Sequence, residues 1–278
     1  MSYKQLPEYC RPCLERLARQ AMTLACSPTQ EHLELALAWL DELYSPEVPP
    51  PVIASRLHLR IKKYCGNEDP YAPLKEKEIA LAREIVPRLR PRYEGEPGKL
   101  FYFSLLGNAI DFFRPYPEIE AAFEAGVTLA IDHLPILLKR LEKARTFLLL
   151  ADNAGEVFFD LPLLSFLREQ GLEVFYAVKP KPIQNDLSLA DLERLGLSLP
   201  ARVVSTGAEM VGLLLEEASS SFKELYFGSD VVAAKGMGHF ETLVNDPQRE
   251  LFFLLCAKCV PVARALGVKV NDYVVFKS

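Results

Sequence analysis

The sequence predicts an α/β protein, in which an all-helical N-terminal domain precedes a three-layer, Rossmann-like α/β domain built on a largely parallel sheet. Two patterns carry this prediction. Up to residue 143 apolar residues recur at helical spacing, and from residue 144 short continuous apolar runs alternate with helical stretches. Strands that are apolar throughout, rather than at every second position, belong to parallel sheets covered on both faces. Composition agrees: 278 residues, 50% hydrophobic and 25% charged, supply an ordinary core and exclude disorder as the main state. The boundary therefore falls between a helical cap, 1–143, and an α/β domain, 144–278.

In chain order, Leu33, Ala36, Leu37, Leu40, Leu43 and Tyr44 define one buried helical face. Ser27 is the expected N-cap of that helix, with Pro28 at its first position and Gln30 completing a capping box. Pro49-Pro50-Pro51 predicts an extended connector. Helical patterns follow over 52–64, 70–86, 99–113 and 117–143, with Pro87, Pro91 and Pro97 interrupting them. Strands are expected at 147–151, 173–178, 202–205, 225–228 and 273–276, and a helix over 155–170. An apolar helix is expected over 251–260.

A formal net charge of −5 and a pI near 5.6 disfavour a general nucleic-acid binder, which carries a basic excess or stripe. They leave room for a phosphorylated small molecule held by a few local lysines. The N-terminal residues contain no apolar signal core, and the longest apolar stretches are too short to cross a bilayer. The expectation is a cytoplasmic protein with no membrane partner. In that setting Cys10, Cys13, Cys26, Cys65, Cys256 and Cys259 read as thiols or metal ligands rather than a disulfide framework.

In open α/β sheets ligands gather beyond the carboxyl ends of the strands. Polar clusters recur at that place: Asp152-Asn153-Ala-Gly-Glu156, Lys179 with Asn185-Asp186, Ser205-Thr206-Gly207, Ser229-Asp230, and Lys235-Gly-Met-Gly-His239-Phe-Glu241. If the strands are parallel, these clusters share one rim. Asp152, Asn153 and Asp186 would offer oxygen ligands to a hard divalent ion such as Mg²⁺ or Mn²⁺. The same residue types also cap helices and form turns. Lys235 and the glycines after it could surround an anion. The P-loop order and the Gly-x-Gly-x-x-Gly dinucleotide fingerprint are both absent from the chain at these positions.

These motifs, together with Cys10-Arg-Pro-Cys13, Asp69-Pro70-Tyr71 with Lys75, and Gly107-Asn108-Ala-Ile-Asp111, resemble the DUF89 family, also called the damage-control phosphatases. The resemblance spans nearly the whole chain and is closest to the archaeal and bacterial branch with an N-terminal Cys-x-x-Cys. It implies a metal-dependent phosphatase acting on small phosphorylated metabolites, often sugar phosphates, with Mn²⁺, Co²⁺, Ni²⁺ or Mg²⁺. Carried over by position, Asp152, Asn153 and Asp186 would hold the metal. Lys235 would contact the phosphate, and Asn185 would line the site. His239 departs from the family, which more often has Asn there.

A divalent ion can polarise the phosphoryl group, and Lys235 would offset charge on its oxygens. The nucleophile is either water or Asp152 itself. Asp230 is a candidate general acid or base, and His239 either protonates the leaving oxygen or bonds to backbone. Glu156, Lys179, Ser229, Asn108 and Asp111 are expected around the substrate, with Asp69 and Lys75 either facing it or forming caps and surface pairs. Cys10 and Cys13 could hold a second metal, and with Cys256 and Cys259 they reach the thiolate count of a zinc site. Two other readings stand beside the phosphatase: an S-adenosylmethionine-dependent carboxyl methyltransferase and a non-catalytic sensor of phosphorylated metabolites.

Overall fold

The computed structural model describes residues 3–110, 116–245 and 248–278. Three helices, α1 (Pro7–Ala25), α2 (Gln30–Leu43) and α3 (Pro50–Cys65), pack around Leu17, Ala21, Leu40, Leu57 and Ile61. The cap of α2 is Thr29, two residues after the expected Ser27. Its side chain accepts from His32 N while His32 Nδ1 accepts from Thr29 N, so a histidine stands in for the usual acid of a capping box. Pro50 and Pro51 open α3 rather than forming an extended connector. Proline's fixed φ suits a first helical turn, where its missing N–H has no partner to lose. The ends of α1 and α3 come together with 5.6 Å between the Cα atoms of Cys26 and Cys65, which form a disulfide. This corrects the expectation of thiols throughout; a pairing across 39 residues leaves no local signal.

Next come α4 (Ala72–Leu89), α5 (Pro97–Leu106), α6 (Tyr116–Ala125), strand β1 (Leu129–Asp132) and α7 (Leu134–Leu141). Strand β1 lies inside the stretch expected to be wholly helical, so the sheet begins before residue 144. The remaining elements are β2 (Thr146–Leu150), α8 (Val157–Glu169), β3 (Glu173–Val178), α9 (Leu189–Leu195), β4 (Arg202–Ser205) and α10 (Ser220–Gly228). After them come β5 (Val231–Lys235), α11 (Gly236–Leu243), β6 (Phe252–Cys256), α12 (Val260–Leu266) and β7 (Tyr273–Lys277).

The seven strands form one sheet in the order β1-β7-β6-β5-β2-β3-β4. Strands β2 to β6 run parallel; β7 pairs antiparallel with β6 and parallel with β1. Phe147 and Leu149 face the layer of α4, α5 and α8, while Leu148 and Leu150 face Phe222 and Phe240 on the other side. Burial on both faces is why β2 reads as an unbroken apolar run.

Two expected elements are exchanged. Residues 225–228 close helix α10, whose Phe222 and Tyr226 point inward one turn apart while Phe227 is 46% exposed. Residues 252–256, expected as helix, are the interior strand β6, buried at every position. Short apolar runs carry no period to separate the two states. Among the described residues no helix is long and apolar enough to cross a membrane.

Candidate active site

Strand order turns outward in both directions from the β2–β5 pair, so the crevice beyond their carboxyl ends is the switch point where α/β sheets bind ligands. Asp152 and Asn153 follow β2 there, and Lys235 ends β5. The loop after β3 folds back onto the loop after β2: Leu187 N donates to Asp152 O at 2.8 Å and Ala154 N to Asn185 O at 2.8 Å. Asn153 and Asp186 thereby form an isolated antiparallel bridge. The three residues expected to hold a metal are gathered by main-chain hydrogen bonds.

Asp152, Asn153, Asn185 and Asp186 line a cavity of about 330 Å³. Leu14 and Leu17 of α1 and Lys258 line the same cavity. Gly236, at φ +77°, lets Asp152 approach; a β-carbon there would lie 1.9 Å from Asp152 Oδ2. Asn108 is wholly buried. Its Nδ2 donates to Asp152 Oδ2 at 3.1 Å and to Glu156 Oε1 at 2.8 Å, and its Oδ1 accepts from Cys256 N at 3.0 Å. Asn108 and Glu156, expected at the substrate, are not among the residues that line the cavity; Asn108 ties the two carboxylates of Asp152 and Glu156 together.

The electrostatics favour a cation. Burial, and then the charges of Glu156 and Asp186, push Asp152 well above the usual carboxylate range. Burial raises Asp186 to about 6, against the pull of Lys179. The buried carboxylates of Asp152, Glu156, Asp160 and Asp186 outnumber the buried ammonium groups of Lys179 and Lys235. Asp186 Oδ2 is buried without a hydrogen bond, its nearest cation being Lys179 Nζ at 3.5 Å. Two carboxylates and an amide, all oxygen donors in a region of excess negative charge, fit a hard divalent ion. Among the described residues no three His, Cys, Asp or Glu side chains converge as a ready-made metal cage. The four cysteines of the two Cys-x-x-Cys motifs thus form no such group among the described residues, and the Asp152–Asn153–Asp186 set contains only two residues of those types.

Lys235 departs from its expected role. Its Nζ is wholly buried, 2.6 Å from Asp160 Oδ1, 2.7 Å from Glu156 Oε2 and 3.0 Å from Ser104 O. Burial opposes its charge, yet the two carboxylates outweigh burial and raise its pKa. It braces the sheet–helix junction and does not line the cavity. Asp160, which sequence reasoning missed, also accepts from Tyr176 Oη at 2.7 Å. Lys179 donates to Gly212 O at 2.5 Å and faces Asp186 and His239 Nε2, both at 3.5 Å. His239 Nδ1 bonds Lys235 O at 2.7 Å, so its proton sits on Nδ1. Burial and Lys179 push its pKa to about 3, leaving it neutral near pH 7 and unsuited to protonate a leaving group.

Ser229 and Asp230 lie at the opposite rim, because they precede β5 instead of ending a strand. Asp230 Oδ2 accepts from Arg145 N at 2.8 Å and Thr146 N at 3.0 Å, at the amino end of β2. A five-residue strand, about 16 Å long, separates them from Asp152. Ser229 Oγ donates to Leu225 O at 2.7 Å. Neither reaches the cavity, which removes the proposed acid–base and substrate roles. Asp111 falls outside the described residues. Lys75 is enclosed between Asp69 (2.7 Å) and Asp191 (2.9 Å), tying α4 to α9.

Cys10, Cys13 and Cys259 line the same cavity, so the two Cys-x-x-Cys motifs do approach each other. Cys10 is buried and Cys13 exposed. Burial raises the thiol pKa of both Cys10 and Cys259. Lys258, between two cysteines in sequence, is close enough to Asp152 to favour its charged form. Only its place after β6 could have marked it in the sequence.

Residues 6–274 match the model of the damage-control phosphatase ARMT1-like domain. A damage-control phosphatase of Pyrococcus horikoshii is 34% identical over 268 residues, covering 92% of this chain and 93% of that protein. A damage-control phosphatase of Archaeoglobus fulgidus is 30% identical over 249 residues, 86% of each chain. A crystal structure of a DUF89 family protein from Pyrococcus horikoshii superposes with a TM-score of 0.88 at 31% identity, over 99% of both chains.

Proposed function

The chain belongs to the damage-control phosphatase ARMT1-like family, and from that membership we propose that it is a phosphatase hydrolysing small phosphorylated metabolites to an alcohol and inorganic phosphate. The observation that carries this reading is the Asn153–Asp186 bridge, which sets two buried carboxylates and an amide on the floor of a cavity at the sheet's switch point. The relatives' names favour a phosphatase over a carboxyl methyltransferase.

In this reading Asp152, Asn153 and Asp186 hold a divalent cation, Mn²⁺, Co²⁺, Ni²⁺ or Mg²⁺. When bound, such an ion neutralises phosphoryl oxygens and polarises the phosphorus centre. Asn108 fixes the Asp152 carboxylate through Oδ2. Lys179, pinned by Gly212 O, keeps Asp186 in its charged form. Lys258, on the cavity wall, takes the phosphate-binding role expected of Lys235, drawing the dianion in and stabilising its oxygens. Residues of α1 line the same cavity and would flank the leaving alcohol.

The test is phosphate release from a panel of sugar phosphates and p-nitrophenyl phosphate, after chelation and then with each of the four cations added singly. Release restored by a cation and lost in Lys258→Ala and Asp152→Ala is expected. No release from any ester by the wild type would overturn the phosphatase reading.

A further inference from the structure

Glu78 has no part in the chemistry above, yet it touches the site from the helical half. It lies on α4, 5% exposed, and both its oxygens accept from Asn185 Nδ2, Oε1 at 3.0 Å and Oε2 at 3.3 Å. The backbone of Glu78 also packs on the turn after Asn153, where a β-carbon at Gly155 would lie 3.0 Å from Glu78 O. An ionised carboxylate only accepts, so it dictates which arm of the Asn185 amide faces it. One N–H of the NH₂ arm is held by the carboxylate, and the carbonyl arm, Oδ1, is turned away from Glu78. The main chain cannot swivel to undo this, because Asn185 O accepts from Ala154 N in the bridge that builds the site. Asn185 itself lines the cavity.

We infer that Glu78 is a positioning residue, which holds Asn185 with its carbonyl oxygen presented to the cavity as an acceptor for an O–H donor. A phosphate dianion, itself an acceptor, is not the partner. The donor is a hydroxyl of the substrate or the water that attacks phosphorus. Either way an acceptor fixed one residue from Asp186 orients an O–H group beside the reacting phosphate. The inference rests on the cavity being the phosphatase site proposed above.

An exchange of partners tests it. Asn185→Asp sets two carboxylates face to face and is expected to lower both Tm and turnover, the latter at least about tenfold. Adding Glu78→Gln keeps the wild-type net charge and reverses the bond, Gln Nε2 donating to one Asp oxygen while the other faces the cavity. The double variant is expected to regain the wild-type Tm and turnover within about fivefold. Glu78→Ala, assayed with a hexose phosphate and with p-nitrophenyl phosphate, separates the donors. If water is the donor, kcat falls for both esters. If a substrate hydroxyl is the donor, KM rises for the hexose phosphate alone.

Turnover in the double variant no better than in Asn185→Asp overturns the inference, even if Tm recovers. So does a Glu78→Ala enzyme unchanged in kcat and KM on both esters. If the wild type hydrolyses neither ester with any cation, the phosphatase reading fails instead. The Tm series still judges the Glu78–Asn185 orientation, and failure of Tm to recover in the double variant overturns it.

Discussion

The carboxylate of Asp152 occupies the space that a side chain at Gly236 would need: a β-carbon there would lie 1.9 Å from Asp152 Oδ2. The Lys235-Gly-Met-Gly-His motif thus serves the site through its glycine, which admits the proposed metal ligand, more than through its lysine. Gly236→Ala meets this contact and also a left-handed φ of +77°. It should cost at least about 2 kcal/mol of stability and displace Asp152. Urea unfolding and Mn²⁺ titration of the variant check both effects; unchanged Mn²⁺ affinity would mean that Asp152 does not need this space.

Lys235 stands between Glu156 and Asp160 with no exposure. Lys235→Met leaves two buried carboxylates without their cation, which should destabilise the fold by about 3–5 kcal/mol. Chemical denaturation measures the loss. A variant of wild-type stability with only a raised KM would return Lys235 to the phosphate-binding role.

Glu241, held by a hydrogen bond from the Tyr3 hydroxyl, is raised by burial from 4.5 to about 7. Between those values the native state binds the proton and the unfolded state has released it, so stability falls as pH rises. The expected loss between pH 5 and pH 8 is about 2–3 kcal/mol. Unfolding free energies across that range should show it in the wild type, and Glu241→Gln should remove it. Parallel pH profiles for the two proteins would place the titration elsewhere.

The Cys26–Cys65 disulfide closes a loop across 39 residues between α1 and α3. Chain entropy gives it about 4 kcal/mol. Cys26→Ser/Cys65→Ser should lower Tm by several degrees while leaving kcat near the wild-type value, since neither residue lines the cavity. Calorimetry and phosphate release read the two quantities side by side.

Asp152 and Asn153 stand out because they directly follow an apolar run, and Asn185 and Asp186 because they lie in the polar loop after the next run; a strand-end rim is where α/β ligands collect. The fold class was legible from the same runs. Lys235 and Asp230 misled for opposite reasons. Lys235 does end a strand, but its partner Asp160 lies 75 residues away on α8, and nothing local shows that a helical carboxylate captures it. Asp230 belongs to the ligand rim only if Leu225-Tyr226-Phe227-Gly228 is a strand, and those residues close helix α10. The true strand, Val231–Lys235, begins just after it. Glu78 and Lys258 escaped because their roles come from tertiary approach: one reaches 107 residues along the chain to Asn185, the other sits among cysteines that draw the eye first.

The measurement that bears most directly on the proposed centre is the Mn²⁺ dependence of phosphate release by the chelated wild type and by Asp186→Asn. The wild type should be silent without metal and rise to saturation. The variant should need at least about 100-fold more Mn²⁺ or show no release. Release independent of Mn²⁺ and of the other divalent cations, or superimposable curves for the two proteins, would contradict the assignment of Asp152, Asn153 and Asp186 as the catalytic metal site.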